Sequence, residues 1–225
     1  GGRDRRVLRG SPVTVFGKEP LTGTVCCMPP HLTECGEDKV ESVDRMAIDL
    51  GLSTEEAQEL VSPGDRVLVR APQKRLLGTR ITSPALDDRA GCAALIRCAQ
   101  LLRDQTLSCG LTILLSSREE AGGQGAQTGA YSLKPTEAIA VDVSFAAQPG
   151  VDPAKCGKLG GGPMIGMAPI LNRPMTNRLM ELAKEHEIPY SMEIMGGETG
   201  TNADEIAVSR TGVPTAMVSI PLRYM

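Results

Sequence analysis

Residues 111–115 read Leu-Thr-Ile-Leu-Leu, and they run straight into Ser-Ser-Arg-Glu-Glu-Ala-Gly-Gly-Gln-Gly at 116–125. No other stretch limits the folding of this chain as strongly. The apolar run has the length of a buried strand. Adjacent residues in a strand point to opposite faces. Glu119 and Glu120 therefore enter one pocket only where the strand gives way to a turn, which Gly122 and Gly123 permit. Two neighbouring carboxylates repel unless a proton or a cation sits beside them. A Glu-Glu pair alone reads as a solvated pair at the start of a loop, so its meaning rests on the acids around it.

Two further acidic positions stand at junctions. Residues 84–92 are Pro-Ala-Leu-Asp-Asp-Arg-Ala-Gly-Cys, followed by a predicted helix over 88–103. Ala, Leu, Ile and Cys occur all round this helix, the pattern of a buried one. Capping would by itself account for Asp87 and Asp88 at its start. Residues 137–143, Glu-Ala-Ile-Ala-Val-Asp-Val, form a predicted strand with Asp142 near its end. A buried aspartate is costly unless paired, protonated or bound to a metal. Open α/β sheets gather ligands at the carboxyl ends of their strands. Glu119, Glu120 and Asp142 are thus expected on one edge, with Asp87 close by. A two-metal hydrolase uses such a set: a bridging carboxylate, a terminal one on each metal, and a free one as base, with the metals about 3.5–4 Å apart. Zinc commonly adds imidazole ligands. The chain has only His31 and His186. The first reads as a loop residue, the second as a surface residue at a helix C-terminus.

The remaining pattern divides the chain into a β-rich module at 1–75 and an α/β domain at 76–225. In the module, residues 13–16 and 23–27 are strand-like. Ser53-Thr54-Glu55-Glu56 is a capping box opening a helix to Val61, and 66–70 alternates Arg with Val and Leu. Residues 76–82 are expected as one strand crossing into the second domain. Beyond 116–125, helices at 125–132, 174–186 and 201–209 alternate with strands at 190–195 and 213–222. That order predicts a sheet with helices on both faces. The glycine-rich segment 158–169 lacks both Gly-x-Gly-x-x-Gly and Gly-Lys-Ser/Thr, so it is no phosphate loop. It predicts a close backbone approach.

Composition excludes several roles. A net charge of -3 gives no support to nucleic-acid binding. No apolar run reaches membrane-spanning length, and no signal peptide is visible. Seven cysteines without a Cys-x-x-Cys pair fit a reducing, cytoplasmic setting. Aromatic content of 2% with no Trp gives little platform for sugars and weakens a glycosidase reading of paired carboxylates. The chain opens Gly-Gly rather than Met, so its natural N-terminus is expected upstream.

Several segments together resemble one family. They are Ala-Leu-Asp-Asp-Arg-Ala-Gly-Cys, Arg-Glu-Glu-Ala-Gly with a downstream Gly-Ala, Ala-Val-Asp-Val, Lys-Leu-Gly-Gly-Gly-Pro, and the closing Gly-Val-Pro-Thr-Ala-Met-Val-Ser-Ile-Pro-Leu-Arg-Tyr-Met. In this order they are similar to the glutamyl and tetrahedral aminopeptidases, co-catalytic metallopeptidases of which some have carried the name cellulase or endoglucanase. Gly-Gly-Arg-Asp at 1–4 and Pro-Pro-His-Leu at 29–32 extend the likeness to the whole chain. The resemblance implies an α/β/α sandwich catalytic domain of the zinc-peptidase type with an inserted β-barrel-like domain, here residues 1–75, that drives oligomerisation. It implies Asp87 as bridging ligand, Glu120 and Asp142 as terminal ligands, and Glu119 as general base. The cofactors implied are two divalent metal ions, zinc foremost, with cobalt or manganese as alternatives. The substrates implied are peptides, and the assembly a homo-oligomer from dimer to dodecamer.

The family also uses a histidine in a His-x-Asp motif ahead of Gly-Gly-x-Asp and another directly after Arg-Tyr-Met. Neither is in this sequence, and neither His31 nor His186 matches a ligand position. Two readings follow: a metal-dependent aminopeptidase that hydrolyses N-terminal residues, or a non-catalytic assembly protein of the same fold without metals. On either reading the 225 residues alone are expected to be inactive. The four acids should still converge, with both chain ends near them.

Overall fold

The computed structural model describes residues 4–29 and 42–225. The chain divides into two compact units, Gly1–Pro84 and Ala85–Met225. This division falls nine residues later than the sequence pattern suggests, because residues 76–82 do not form a single strand. They turn back as a hairpin at the end of the first unit.

In the first unit, β1 (Pro12–Phe16), β2 (Pro20–Cys26), β3 (Ala47–Asp49) and β4 (Arg66–Val69) form an antiparallel sheet in the order β3-β2-β1-β4. Alternation buries Val13, Val15 and Val25, and Leu21, Ile48, Leu50, Val61 and Val69 pack against them. Between β3 and β4 lies α1 (Thr54–Leu60). Its capping box is complete: the Ser53 hydroxyl accepts from the Glu56 N–H, and the Glu56 carboxylate accepts from the Ser53 N–H. β5 (Lys74–Arg75) and β6 (Ile81–Thr82) pair as a separate two-stranded ribbon. The sheet is open, with β3 and β4 as edges among the described residues, so the expected barrel-like closure is not formed. A barrel needs its terminal strands to pair, and here they stand at opposite ends of the order. Residues 30–41, with His31, lie outside the described residues.

The second unit is built on β7 (Ala138–Phe145), β8 (Met164–Met167), β9 (Ser191–Ile194) and β10 (Thr215–Leu222), in the order β7-β10-β8-β9. β7 pairs parallel with β10, β10 antiparallel with β8, and β8 parallel with β9. Four helices accompany it: α2 (Leu86–Leu102), α3 (Gln124–Leu133), α4 (Arg173–Glu185) and α5 (Asn202–Ala207). α2, α4 and α5 pack on the sheet and α3 on α5. Ala140, Leu171, Ala203 and Met217 form a buried cluster joined by Ala168, Ile170 and Met195. β8 explains the glycine-rich segment. Gly166 sits in a strand with Met217 and Leu171 so close that a Cβ would lie 3.0 Å from the Met217 Cβ.

Two expectations are corrected. Residues 111–115 belong to no strand of either sheet among the described residues, and Leu111 and Leu115 are about half exposed, at 52% and 54%. An apolar run becomes a strand only where a neighbour takes up its N–H and C=O groups, and no described strand does so. Nor is α2 buried all round: Ile96 and Leu101 are exposed, and Gly91 alone in the helix is fully buried.

Candidate active site

Three segments of the second unit bring the acids together. The first is the start of α2. Asp87 and Asp88 lie within its bounds but have non-helical backbone angles, so the entry of the helix is bent at the two residues that carry carboxylates. The Asp88 carboxylate folds back to accept the Gly91 N–H at 2.7 Å. Only glycine allows this, because a Cβ at position 91 would lie 2.3 Å from an Asp88 oxygen. The second segment is the turn after residues 111–117. Glu119 and Glu120 stand on a single 3-10 turn, Glu119–Ala121, framed by Arg118, Gly122 and Gly123, all at positive φ. The N–H of Gly123 donates to the Arg118 carbonyl at 2.9 Å, closing the turn. The third is β7, where Asp142 is 8% exposed and accepts its own neighbour's N–H, Val143, at 2.8 Å.

α5 supports the second segment. Asn202 donates from Nδ2 to the Ser116 hydroxyl at 2.9 Å. Glu205 packs so tightly on Gly123 that a Cβ there would lie 2.6 Å from the Glu205 Cγ. The loop before α5 is held in turn by the Asp204 carboxylate, which accepts from the Thr199 N–H and hydroxyl and from the Gly200 N–H.

The electrostatics show that these segments face one another. Burial pushes the Asp142 carboxyl up to about 7, and repulsion from Asp88, Glu119 and Asp87 adds to it, against the lowering by the Val143 N–H. Burial also raises Asp87, followed by the charge of Glu120 and a side-chain hydrogen bond with it. A hydrogen bond between two carboxyl groups requires a shared proton. Glu119 is raised by burial and then by Glu120, Asp87 and Asp88. Asp88 is raised by burial and by Asp87, and lowered by the Gly91 N–H. Asp87, Glu119 and Asp142 therefore lie within electrostatic reach of one another, Glu120 within reach of Asp87 and Glu119, and Asp88 joins them. From the sequence alone Asp88 reads as a helix cap. The doubled Asp-Asp was the available signal, but capping explained it equally well.

Excess negative charge in one place is what a divalent cation relieves. Oxygen-only donors are of the hard class that suits magnesium, calcium or manganese, so the donor chemistry fits a cation. As arranged, no group of three or more His, Cys, Asp or Glu side chains among the described residues closes on a single metal position. His186 caps the C-terminal end of α4 and is exposed, away from β7 in sequence and not among the groups that perturb the acids. A groove of about 450 Å³ lined by Gln127, Tyr131, Glu205, Ser209 and Arg210 contains none of the candidate acids.

Comparison with known proteins bears on the same residues. The chain is 35% identical over 207 residues to the lysyl aminopeptidase of Pyrococcus furiosus, an alignment that takes in 90% of this chain and 59% of that protein. It superposes on the TET aminopeptidase of the marine sediment archaeon Thaumarchaeota archaeon SCGC AB-539-E09 with a TM-score of 0.86 at 31% identity, covering 100% of this chain and 66% of that one. On the Pyrococcus horikoshii TET1 peptidase, described as assembling into a tetrahedron or a large octahedral shell, the TM-score is 0.78 at 30% identity, covering 100% and 67%. The chain thus spans about three fifths of the length of the Pyrococcus furiosus relative. The family model for M42 glutamyl aminopeptidases matches residues 1–225, from the first residue to the last, and the chain belongs to that family.

Proposed function

We propose that this chain carries the acid cluster of a metal-dependent aminopeptidase that releases N-terminal residues from peptides. The observation that supports it best is the mutual perturbation of carboxylates drawn from three separate segments in a member of an aminopeptidase family. On this reading Asp87 would serve as the ligand common to two divalent metals, with Glu120 and Asp142 as the further ligand of one each. Zinc is the metal that the family likeness favours, with cobalt or manganese as alternatives. Such metals, when bound, supply Lewis acidity that makes water more acidic and a peptide carbonyl more electrophilic. The chain's own part in the proton transfer falls to Glu119. It takes a proton from the attacking water and passes it to the leaving amine, so that one water is consumed and one peptide C–N bond is broken. In the metal-free chain, burial and the neighbouring carboxylates raise the Glu119 carboxyl above its ordinary value.

The first unit, and residues 1–75 within it, is on this proposal the oligomerisation insert. The shells formed by the TET1 relative favour a homo-oligomer. The cytoplasm is the proposed location: the six described cysteines are free, and no described helix is long and apolar enough to cross a membrane. A non-catalytic assembly role is the second reading, favoured by the observation that no three His, Cys, Asp or Glu side chains among the described residues close on one metal position.

The discriminating experiment compares Glu119→Gln with Glu120→Gln in the full-length protein. We expect Glu119→Gln to lower kcat by about 10²–10⁴-fold with metal content unchanged, and Glu120→Gln to lose metal. Retention of both metal and activity by both variants would refute the assignment. A full-length wild type that hydrolyses no peptide would favour the assembly role.

A further inference from the structure

Glu193 stands on β9, three strands from β7 in the sheet order, yet its carboxylate reaches the face that carries Asp142. Asp142 and Ser219 are register partners on β7 and β10, so their side chains share a face. Ser144, two residues beyond Asp142 on the same strand, shares it too. The Ser144 hydroxyl donates to Oε1 of Glu193, and the Ser219 hydroxyl donates to Oε2 at 2.5 Å. The way across β8 is open because the residue in register with Glu193 there is Gly166, which has no side chain.

Both serines are deeply buried, at 4% and 0% exposure, and Glu193 is partly buried. Two neutral donors orient the carboxylate but cancel none of its charge. Among the described residues no Lys, Arg or His pairs with it. A charge held partly out of water in this way is costly until a cation joins it. Each oxygen keeps a second lone pair for a further donor. Along β7, Ser144 is about 7 Å from Asp142, two residues at ~3.3 Å each. A scissile bond lying over the acid cluster would leave the Glu193 carboxylate next to the substrate's first residue, within the length of a lysine side chain.

We propose that Glu193 is a specificity-determining residue whose carboxylate receives a primary ammonium group of the substrate's first residue. The inference rests on the aminopeptidase reading of the site. Two sources offer the same chemistry: the α-ammonium that every unblocked peptide carries, and the side-chain ammonium of an N-terminal lysine.

The test uses the full-length protein and three probes that it cannot hydrolyse: L-leucine, L-lysine and Nα-acetyl-L-lysine. Binding is followed by calorimetry in wild type, Glu193→Gln and Ser144→Ala. A charged hydrogen bond at a shielded site is worth roughly 10- to 100-fold in affinity. If the α-ammonium docks there, Glu193→Gln weakens L-leucine and L-lysine by that factor and leaves Nα-acetyl-L-lysine unchanged. If the side-chain ammonium docks there, L-lysine and Nα-acetyl-L-lysine weaken and L-leucine does not. Ser144→Ala keeps the carboxylate but loosens it, and should give a smaller loss in the same probes. Wild type that binds none of the three, or a Glu193→Gln variant that binds all three as wild type does, overturns the proposal. Turnover of leucine and lysine 4-nitroanilides separates the two claims. Normal hydrolysis with unchanged lysine-to-leucine selectivity in Glu193→Gln would sink this inference alone. Absence of hydrolysis with Glu193-dependent ammonium binding would sink the aminopeptidase reading alone.

Discussion

Asp142→Asn should make the metal-free protein more stable at neutral pH, and by an amount that depends on pH. Asp142 is buried on β7 and titrates near 7 rather than at the ordinary 3.8. The folded protein therefore keeps a proton over this window that the unfolded chain has released. The unfolded state binds fewer protons there, so stability falls as pH rises from about 4 to about 7, and levels off above. Asp87, Asp88 and Glu119 are displaced in the same direction and steepen the fall. Each pK unit is worth about 1.36 kcal/mol, so a displacement of ~3 units sets a ceiling of about 4 kcal/mol for Asp142. Its coupling to Asp88, Glu119 and Asp87 spreads that cost over the cluster, and about 2–3 kcal/mol is a fair expectation for the single substitution. Urea unfolding in the presence of a chelator, from pH 3.5 to 8, measures it. Wild type and Asp142→Asn should be nearly equal below pH 4 and diverge to a plateau above 7. Added divalent metal should then stabilise wild type more than the variant, which lacks the Asp142 ligand but keeps Asp87 and Glu120. A difference that is constant with pH, or a wild type that grows more stable from pH 4 to 7, would refute the reasoning.

Three other outcomes are expected. Gly123→Ala places a Cβ at positive φ and 2.6 Å from the Glu205 side chain; thermal unfolding should show a loss of about 1–3 kcal/mol, with activity of the full-length protein falling as the acidic turn shifts. The 225-residue chain, whose acids have no neighbouring imidazole in sequence, should bind manganese in preference to zinc by calorimetry and hydrolyse no peptide; tight zinc binding would contradict this. Light scattering of the full-length protein should report a homo-oligomer that dissociates when apolar edge residues of the first unit such as Val67 and Leu68, both exposed, are changed to lysine; a monomeric wild type at micromolar concentration would count against it.

What could be read from the residues in order was the chemistry of short range. Ser53 and Glu56 announce a helix start because the two side chains and two backbone N–H groups that close the capping box lie three residues apart. Gly122 and Gly123 announce a turn because their backbone takes up positive φ. Asp142 stood out because an acid inside an apolar run has to be provided for, and the order of motifs was enough to suggest the family. The rest depended on partners distant in sequence. Residues 111–115 have the pattern of a strand, yet a strand also needs a neighbour, and no local pattern reports one. α2 is apolar all round, but whether each side is covered depends on what packs there. Asp88 looked like a cap until the fold set it beside Asp142, 54 positions further along the chain. Glu193 carried no signal at all in its own segment. Its role arises because β8 offers a glycine at the crossing point and β7 and β10 each turn a serine toward the same place. Capping and turn geometry are set within a few residues, whereas burial, ladder pairing and the field at a carboxylate are sums over groups that only the folded chain brings together.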